Sequence, residues 1–235
     1  MTTMPIEPIT ESQRKAARVV GLAYLLAMGP AIFAEFYVIG RLVVSGNAAE
    51  TARNIAAHER LFRIGTASNL LAFAIDIVLI TALYVVLERV NRNLALFAAF
   101  CRLIETVFLV VAALNDFEVL RLVSGADYLQ AFRPEQLQAL GRLSLGAHGA
   151  AYTVGLLFFG FGSPVFCWLW WKSGYIPKAL AAWGVFASLL IGVSAFAFIV
   201  SPELRQVLSI FVYAGPIFLF ELATGFWLLI KGIRS

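Results

Sequence analysis

Six apolar stretches, each close to the roughly 20 residues a helix needs to cross a hydrocarbon core of about 30 Å, constrain this chain of 235 residues more than any other feature. They run from Arg18 to Val43, Arg63 to Arg89, Leu94 to Leu120, Leu143 to Trp171, Pro177 to Val200 and Arg205 to Lys231. Lipid offers the backbone no hydrogen bonds, so a spanning segment must be a helix or part of a closed barrel. These runs lack the period-2 alternation of barrel strands. The expected fold is an all-α polytopic membrane bundle of six transmembrane helices forming a single domain over residues 1–235. A disordered tail containing Pro5 and Pro8 is expected over residues 1–15.

Composition agrees: 61% of residues are hydrophobic and only 14% charged, against about 25% charged in soluble domains. The first run is too long for a signal-peptide core and carries Glu35 and Arg41 near its end, so it is expected to stay as the first span. Lysines and arginines divide almost evenly between the two sides, which decides nothing by itself. All four lysines, Lys15, Lys172, Lys178 and Lys231, fall on the side of the termini. The two long opposite loops dilute their arginines with Glu50, Glu59, Asp127 and Glu135. Both termini are therefore expected in the cytoplasm and the protein in the cell membrane. The net charge of +4 is scattered over short segments, which suits anionic headgroups and argues against nucleic acid. The lipid bilayer is the expected partner. Cys101 and Cys167 lie inside spans without C-x-x-C spacing and read as packing residues.

Outside the spans, "SGNAAETARNIAAHERLFRIG" places Ala48, Ala52, Ile55 and Ala56 on one helical face, with Asn47 as N-cap. "SGADYLQAFRPEQLQALGRL" has Pro134 in an N1 position and Leu137, Leu140 and Leu143 at helical spacing. Both read as short interfacial helices that could roof the bundle, or as plain connectors. Trp168, Trp170 and Trp171 before Lys172 match an aromatic belt. "SGYIPK" reads as a tight turn.

Ionisable residues within spans are costly, and they face the bundle interior or water. This chain has Glu35, Asp76, Arg102, Glu105 and Glu221. Counting about 1.5 Å per residue puts Asp76, Arg102, Glu105 and Glu221 about 20 to 27 Å from the non-terminal surface, with Glu35 at about 12 Å. Arg102 and Glu105 in "CRLIET" share a helix face and can pair unaided. Four carboxylates against one arginine leave three negative charges uncompensated. Either some acids hold protons or a cation binds among them. "GPAIFAE" and "GPIFLFE" repeat a proline five residues before Glu35 and Glu221. Inside a helix, Pro30 would free the Leu26 carbonyl and Pro216 that of Val212, setting an unpaired carbonyl near a carboxylate as in broken transporter helices. Pro164 is a third kink candidate. Structural hydrogen bonding is the more favoured reading of this pair.

A second tier, Asn69, Asn115, Asp116, His148 and Tyr152, lies nearer the non-terminal surface. Helical spacing puts His148 with Tyr152, Asn69 with Asp76, and Glu105 with Asp116 on common faces, a line of groups suited to a proton path. His148, Asp116 and Glu35 also form a weak candidate set for Zn²⁺ or Mn²⁺. A haem on His148 alone lacks a second histidine within any span. No cofactor is otherwise indicated. The known hydrolase, nucleotide and metalloprotease motifs are absent, so catalytic residues are unassigned and an enzyme is the less favoured reading.

"VNRNLALFAAFCRLIETVFL", "FRPEQLQAL" and "HGAAYTVGLLFFGFG" resemble segments of a bacterial membrane family catalogued as domain of unknown function 4386, a likeness running from "FAEFYVIGRLV" to "SGYIPK". The resemblance implies a six-helix bacterial membrane protein. It implies no activity, substrate or catalytic residue.

Three functions remain open from the residues. The first is a small proton- or cation-coupled carrier of an ion or small molecule, using Glu35, Asp76, Glu105 and Glu221 with Arg102 as counter-charge. "GLAY" (Gly21 to Tyr24) and "GAAY" (Gly149 to Tyr152), as counterparts in two inverted halves, would favour it. The second is a membrane enzyme or metal or cofactor binder using His148 and Asp116. The third is a sensor or partner protein whose buried charges only lock helix register.

Overall fold

The stretch "TESQ" starts the first helix. Thr10 Oγ1 accepts from Gln13 N at 3.3 Å, and Gln13 Oε1 accepts from Thr10 N at 3.1 Å, the reciprocal capping box that satisfies two orphan donors at a helix N-terminus. Helix α1 therefore begins at Glu11 and runs Glu11–Ile32, starting inside the stretch expected as tail. The computed structural model describes residues 9–234, so the first eight residues of that expected tail lie outside it. Thr10→Ala should cost about 1 kcal/mol, read as faster amide exchange in the first turn of α1.

Gln13 also donates from Nε2 to the Val86 carbonyl at 3.0 Å, tying the start of α1 to the helix that spans Glu59–Leu87. After Pro30, α1 widens into a π-helical segment, Phe33–Ile39, and closes with α2, Gly40–Leu42. Helix α3, Ala48–Ala57, has the expected Asn47 cap, whose side chain accepts from Glu50 N at 3.0 Å. Then follow α4 (Glu59–Leu87), α5 (Arg92–Val123), α6 (Pro134–Ser173) and α7 (Lys178–Val200). The short α8 (Leu204–Val207) and α9 (Ile210–Tyr213) lead to α10, Gly215–Ile230. All regular structure among the described residues is helical.

Among the described residues, five segments are long and apolar enough to cross a membrane: Glu11–Leu42, Glu59–Leu87, Arg92–Val123, Pro134–Ser173 and Lys178–Val200. Leu22, Leu71, Phe100, Leu114, Phe161 and Val193 are all exposed, whereas Arg102, Glu105 and Asp116 are buried. That inversion of the soluble pattern fits a lipid surround, and the chain is a multi-pass membrane protein.

Three expectations need correction. The sixth apolar stretch is not one helix from Arg205 to Lys231. Ser209 caps α9 through Phe211 N at 3.4 Å, Arg205 turns back to donate to Thr153 Oγ1 and lies over the Phe198 ring, and only the 16 residues of α10 continue. Pro216 consequently sits in the first turn of α10, where a missing N–H costs nothing, and kinks no helix interior. Second, the loop helix expected from Pro134 is not separate. Pro134 does start a helix, but that helix continues for 40 residues as α6, and only the 3₁₀ turn Asp127–Ala131 stands before it. Third, Trp168 and Trp171 are exposed, but Trp170 is fully buried and belongs to a core rather than a belt. The "SGYIPK" turn forms as expected, with Gly174 at φ +69°.

The chain divides into two compact units. Among the described residues, the first comprises 9–26, 75–106 and 153–234. Its core includes Val20, Leu83, Leu87, Phe166, Leu169, Trp170, Ile176 and Phe220. Here α6 and α7 cross at Gly160 and Gly192: a Cβ on Gly192 would sit 2.8 Å from Gly160 Cα, so the backbones approach as only paired small residues allow. The second unit comprises residues 27–74 and 107–152. One of its cores joins Val38, Leu42, Ile55, Phe62, Val119 and Leu120, and another joins Ala72, Phe73, Leu109 and Ala113.

Candidate functional site

In the first unit, Arg102 and Glu105 follow one another on α5 at the i,i+3 spacing that aligns side chains. Arg102 Nη1 lies 2.7 Å from Glu105 Oε2, and Arg102 Nη2 lies 3.9 Å from Asp76 Oδ1 on α4. The closer pair is not aligned as a hydrogen bond, and both of its atoms are buried without a hydrogen-bonding partner. The contact is thus a charge contact with unused hydrogen-bonding capacity. The guanidinium also stacks over Phe159 of α6, with Cζ 4.5 Å from the ring centroid, a cation–π contact strengthened by burial. Gly162 on α6 lets α5 come this close, since a Cβ there would meet the Ala98 carbonyl at 2.8 Å and Arg102 Cγ at 3.1 Å.

Glu221 of α10 and the buried Tyr24 of α1 lie within Coulombic range of Arg102. Three carboxylates, Asp76, Glu105 and Glu221, therefore share one guanidinium. Cys167, a buried free thiol, is 3.9 Å from Ser188 Oγ and joins the packing around this group. Cys101 is likewise buried and free.

In the second unit the polar residues come from four elements. Glu35 rides on the π segment, whose wider turn is closed by Gly40 N donating to the Glu35 carbonyl five residues back. Its Oε1 accepts from Asn69 Nδ2 of α4 at 2.9 Å. On α5, Asp116 places Oδ1 2.9 Å from His148 Nδ1 of α6 and Oδ2 3.5 Å from Thr66 Oγ1 of α4. His148 Nδ1 also faces the Ala112 carbonyl at 3.1 Å, and the imidazole stacks on Tyr152 at 6.1 Å between centroids.

Of the residues singled out in the sequence, Asp76, Arg102, Glu105 and Glu221 thus fall in one unit, and Glu35, Asn69, Asp116, His148 and Tyr152 in the other. The repeated Pro-to-Glu spacing has no common structure behind it, because Pro30 precedes a π segment and Pro216 starts a helix. Asn115 stands apart: its amide donates to Val111 O on its own helix, a bond that back-folding polar residues commonly make. Thr66 and Phe159 were not singled out. Thr66 has a legible signal, lying three residues before Asn69 on the same α4 face, whereas Phe159 has none among so many phenylalanines. Among the described residues, no three His, Cys, Asp or Glu side chains gather so as to hold a metal ion.

No significant match appears among curated proteins or solved structures. The family model described as "Domain of unknown function (DUF4386)" matches residues 19–232, nearly the whole chain, and the protein belongs to that family.

Proposed function

We propose that the protein is a small carrier of the cytoplasmic membrane, coupled to protons or another small cation, in which Asp76, Glu105 and Glu221 exchange the coupling ion around Arg102. The observation that supports this reading is the charge balance of the buried group around Arg102: three carboxylates against one guanidinium leave two negative charges without a counter-ion within the group. An apolar surround tolerates such an excess only if protons or cations occupy the site. Glu105 is buried, whereas Asp76 and Glu221 are only partly so.

In this reading α10 serves as the sixth span. Its 16 residues reach about 24 Å at 1.5 Å each, and α8 and α9 complete the crossing. Helix α3 and the first turns of α6 lie in the interface, and both termini face the cytoplasm. The test is proton flux into proteoliposomes, read by a trapped pH dye under imposed Na⁺, K⁺ and divalent gradients. Wild type should exceed empty liposomes under at least one gradient, and Asp76→Asn and Glu221→Gln should return to the empty-liposome rate while remaining monodisperse. Flux that survives both substitutions, or none under any gradient from folded protein, would remove the carrier reading.

A further inference from the structure

The second unit contains a base whose tautomer is dictated by its surroundings. His148 Nδ1 faces the Ala112 carbonyl at 3.1 Å and Asp116 Oδ1 at 2.9 Å. A backbone carbonyl only accepts, so Nδ1 must carry the hydrogen. In the neutral ring the lone pair is then on Nε2. Asp116, almost completely buried, has Oδ1 without an aligned hydrogen-bond partner, so its charge is balanced only when the imidazole becomes imidazolium.

We propose that His148 is a reversible proton-binding site of this membrane protein: Nε2 takes up the proton, Asp116 holds the ring from its Nδ1 side, and Glu35, oriented by Asn69, balances the added charge. The groups facing the imidazole are drawn from every element around it. The π segment contributes Glu35 and α5 contributes Asp116, both within Coulombic range. Helix α4 contributes the neutral Asn69 and Thr66 to the two carboxylates, and α6 itself contributes Tyr152. With Glu35 and Asp116 ionised, the group carries two negative charges when His148 is neutral. It carries one after a proton adds to the Nε2 lone pair. No bond other than N–H forms or breaks.

The π segment is a second, independent sign. Such stretches are uncommon and concentrate at functional positions, and this one carries the carboxylate that completes the group. The assignment does not depend on the carrier reading, since a proton site can serve a sensor or an enzyme equally well.

The chain has only two histidines. His58→Gln therefore leaves His148 as the sole imidazole, and ¹⁵N-histidine labelling of that full-length protein in lipid nanodiscs reads one ring. From about pH 9 to about pH 5, the ring should begin as the Nδ1–H tautomer and gain its second proton on Nε2. Asp116→Asn should move the midpoint to lower pH by about one unit or more, and Glu35→Gln in the same direction by less. A ring protonated on Nε2 at high pH, a single protonation state throughout, or a midpoint unmoved by both substitutions would overturn the proposal. The tautomer is read without either carboxylate variant, so misfolding of one does not remove the test, and no flux is needed.

Discussion

Arg102→Leu is expected to abolish most of the folded protein, with a loss of about 3 to 5 kcal/mol, the cost of leaving a buried charge without its partner. The reason is specific to this site. Among the described residues, Arg102 is the only cation within contact of Glu105 and Asp76, at 2.7 Å and 3.9 Å, and Glu105 is itself buried. Removing the guanidinium strands that carboxylate in a medium that cannot solvate it, and also removes the face packed on Phe159. Arg102→Lys should recover only part of the loss, because a lysine keeps the charge but not the planar fork or the stacking surface. Adding Glu105→Gln to Arg102→Leu should recover stability, since the stranded charge is then gone. Thermal unfolding and size-exclusion profiles in detergent read all four proteins. An Arg102→Leu protein melting with wild type would show that the acids are already neutral without it, and a double variant no better than the single one would show that packing on Phe159 carries the effect.

Gly160→Leu is expected to be comparably severe. A Cβ at Gly160 runs into the Gly192 backbone, and backbone cannot rotate away as a side chain would. The α6–α7 crossing must open, losing the close packing that holds apolar helices together in lipid. Overpacked cores lose about 1 to 3 kcal/mol and sometimes more, and here the whole crossing moves. Gly160→Ala should show a smaller loss of the same sign. Gly141 on the same helix is the control: nothing lies within 4 Å of its added Cβ, so Gly141→Ala should be neutral or stabilising by about 0.5 to 1 kcal/mol. Melting temperatures that place Gly141→Ala at or above wild type, and wild type above Gly160→Ala, would bear this out. Equal melting of the two alanine variants would contradict the crossing.

Much of the local structure was legible because it depends on neighbours along one helix. The Asn47 cap, the Pro134 start, the turn at Gly174 and the pairing of Arg102 with Glu105 each need only spacings of a few residues. The Thr10–Gln13 capping box was equally local and equally visible in "TESQ", but proline content nearby argued for a tail. The break before α10 was harder to see, because Ser209 and the Gly215–Pro216 step stop the helix inside a stretch that is mostly apolar.

The amino-acid sequence alone determined that this chain is helical, that its helices suit a membrane, and which few ionisable residues those helices must carry inward. Apolar length and the energetic demands of an unsolvated backbone suffice for that. Only the tertiary structure decided the company each residue keeps. Asp76 meets Arg102, Asp116 meets His148, Glu35 meets Asn69, and Trp170 turns into a core while Trp168 and Trp171 stay outside. Those contacts join residues far apart in the chain. They follow from which helix faces oppose one another, and that is set by close crossings such as Gly160 on Gly192 rather than by any spacing along a single helix.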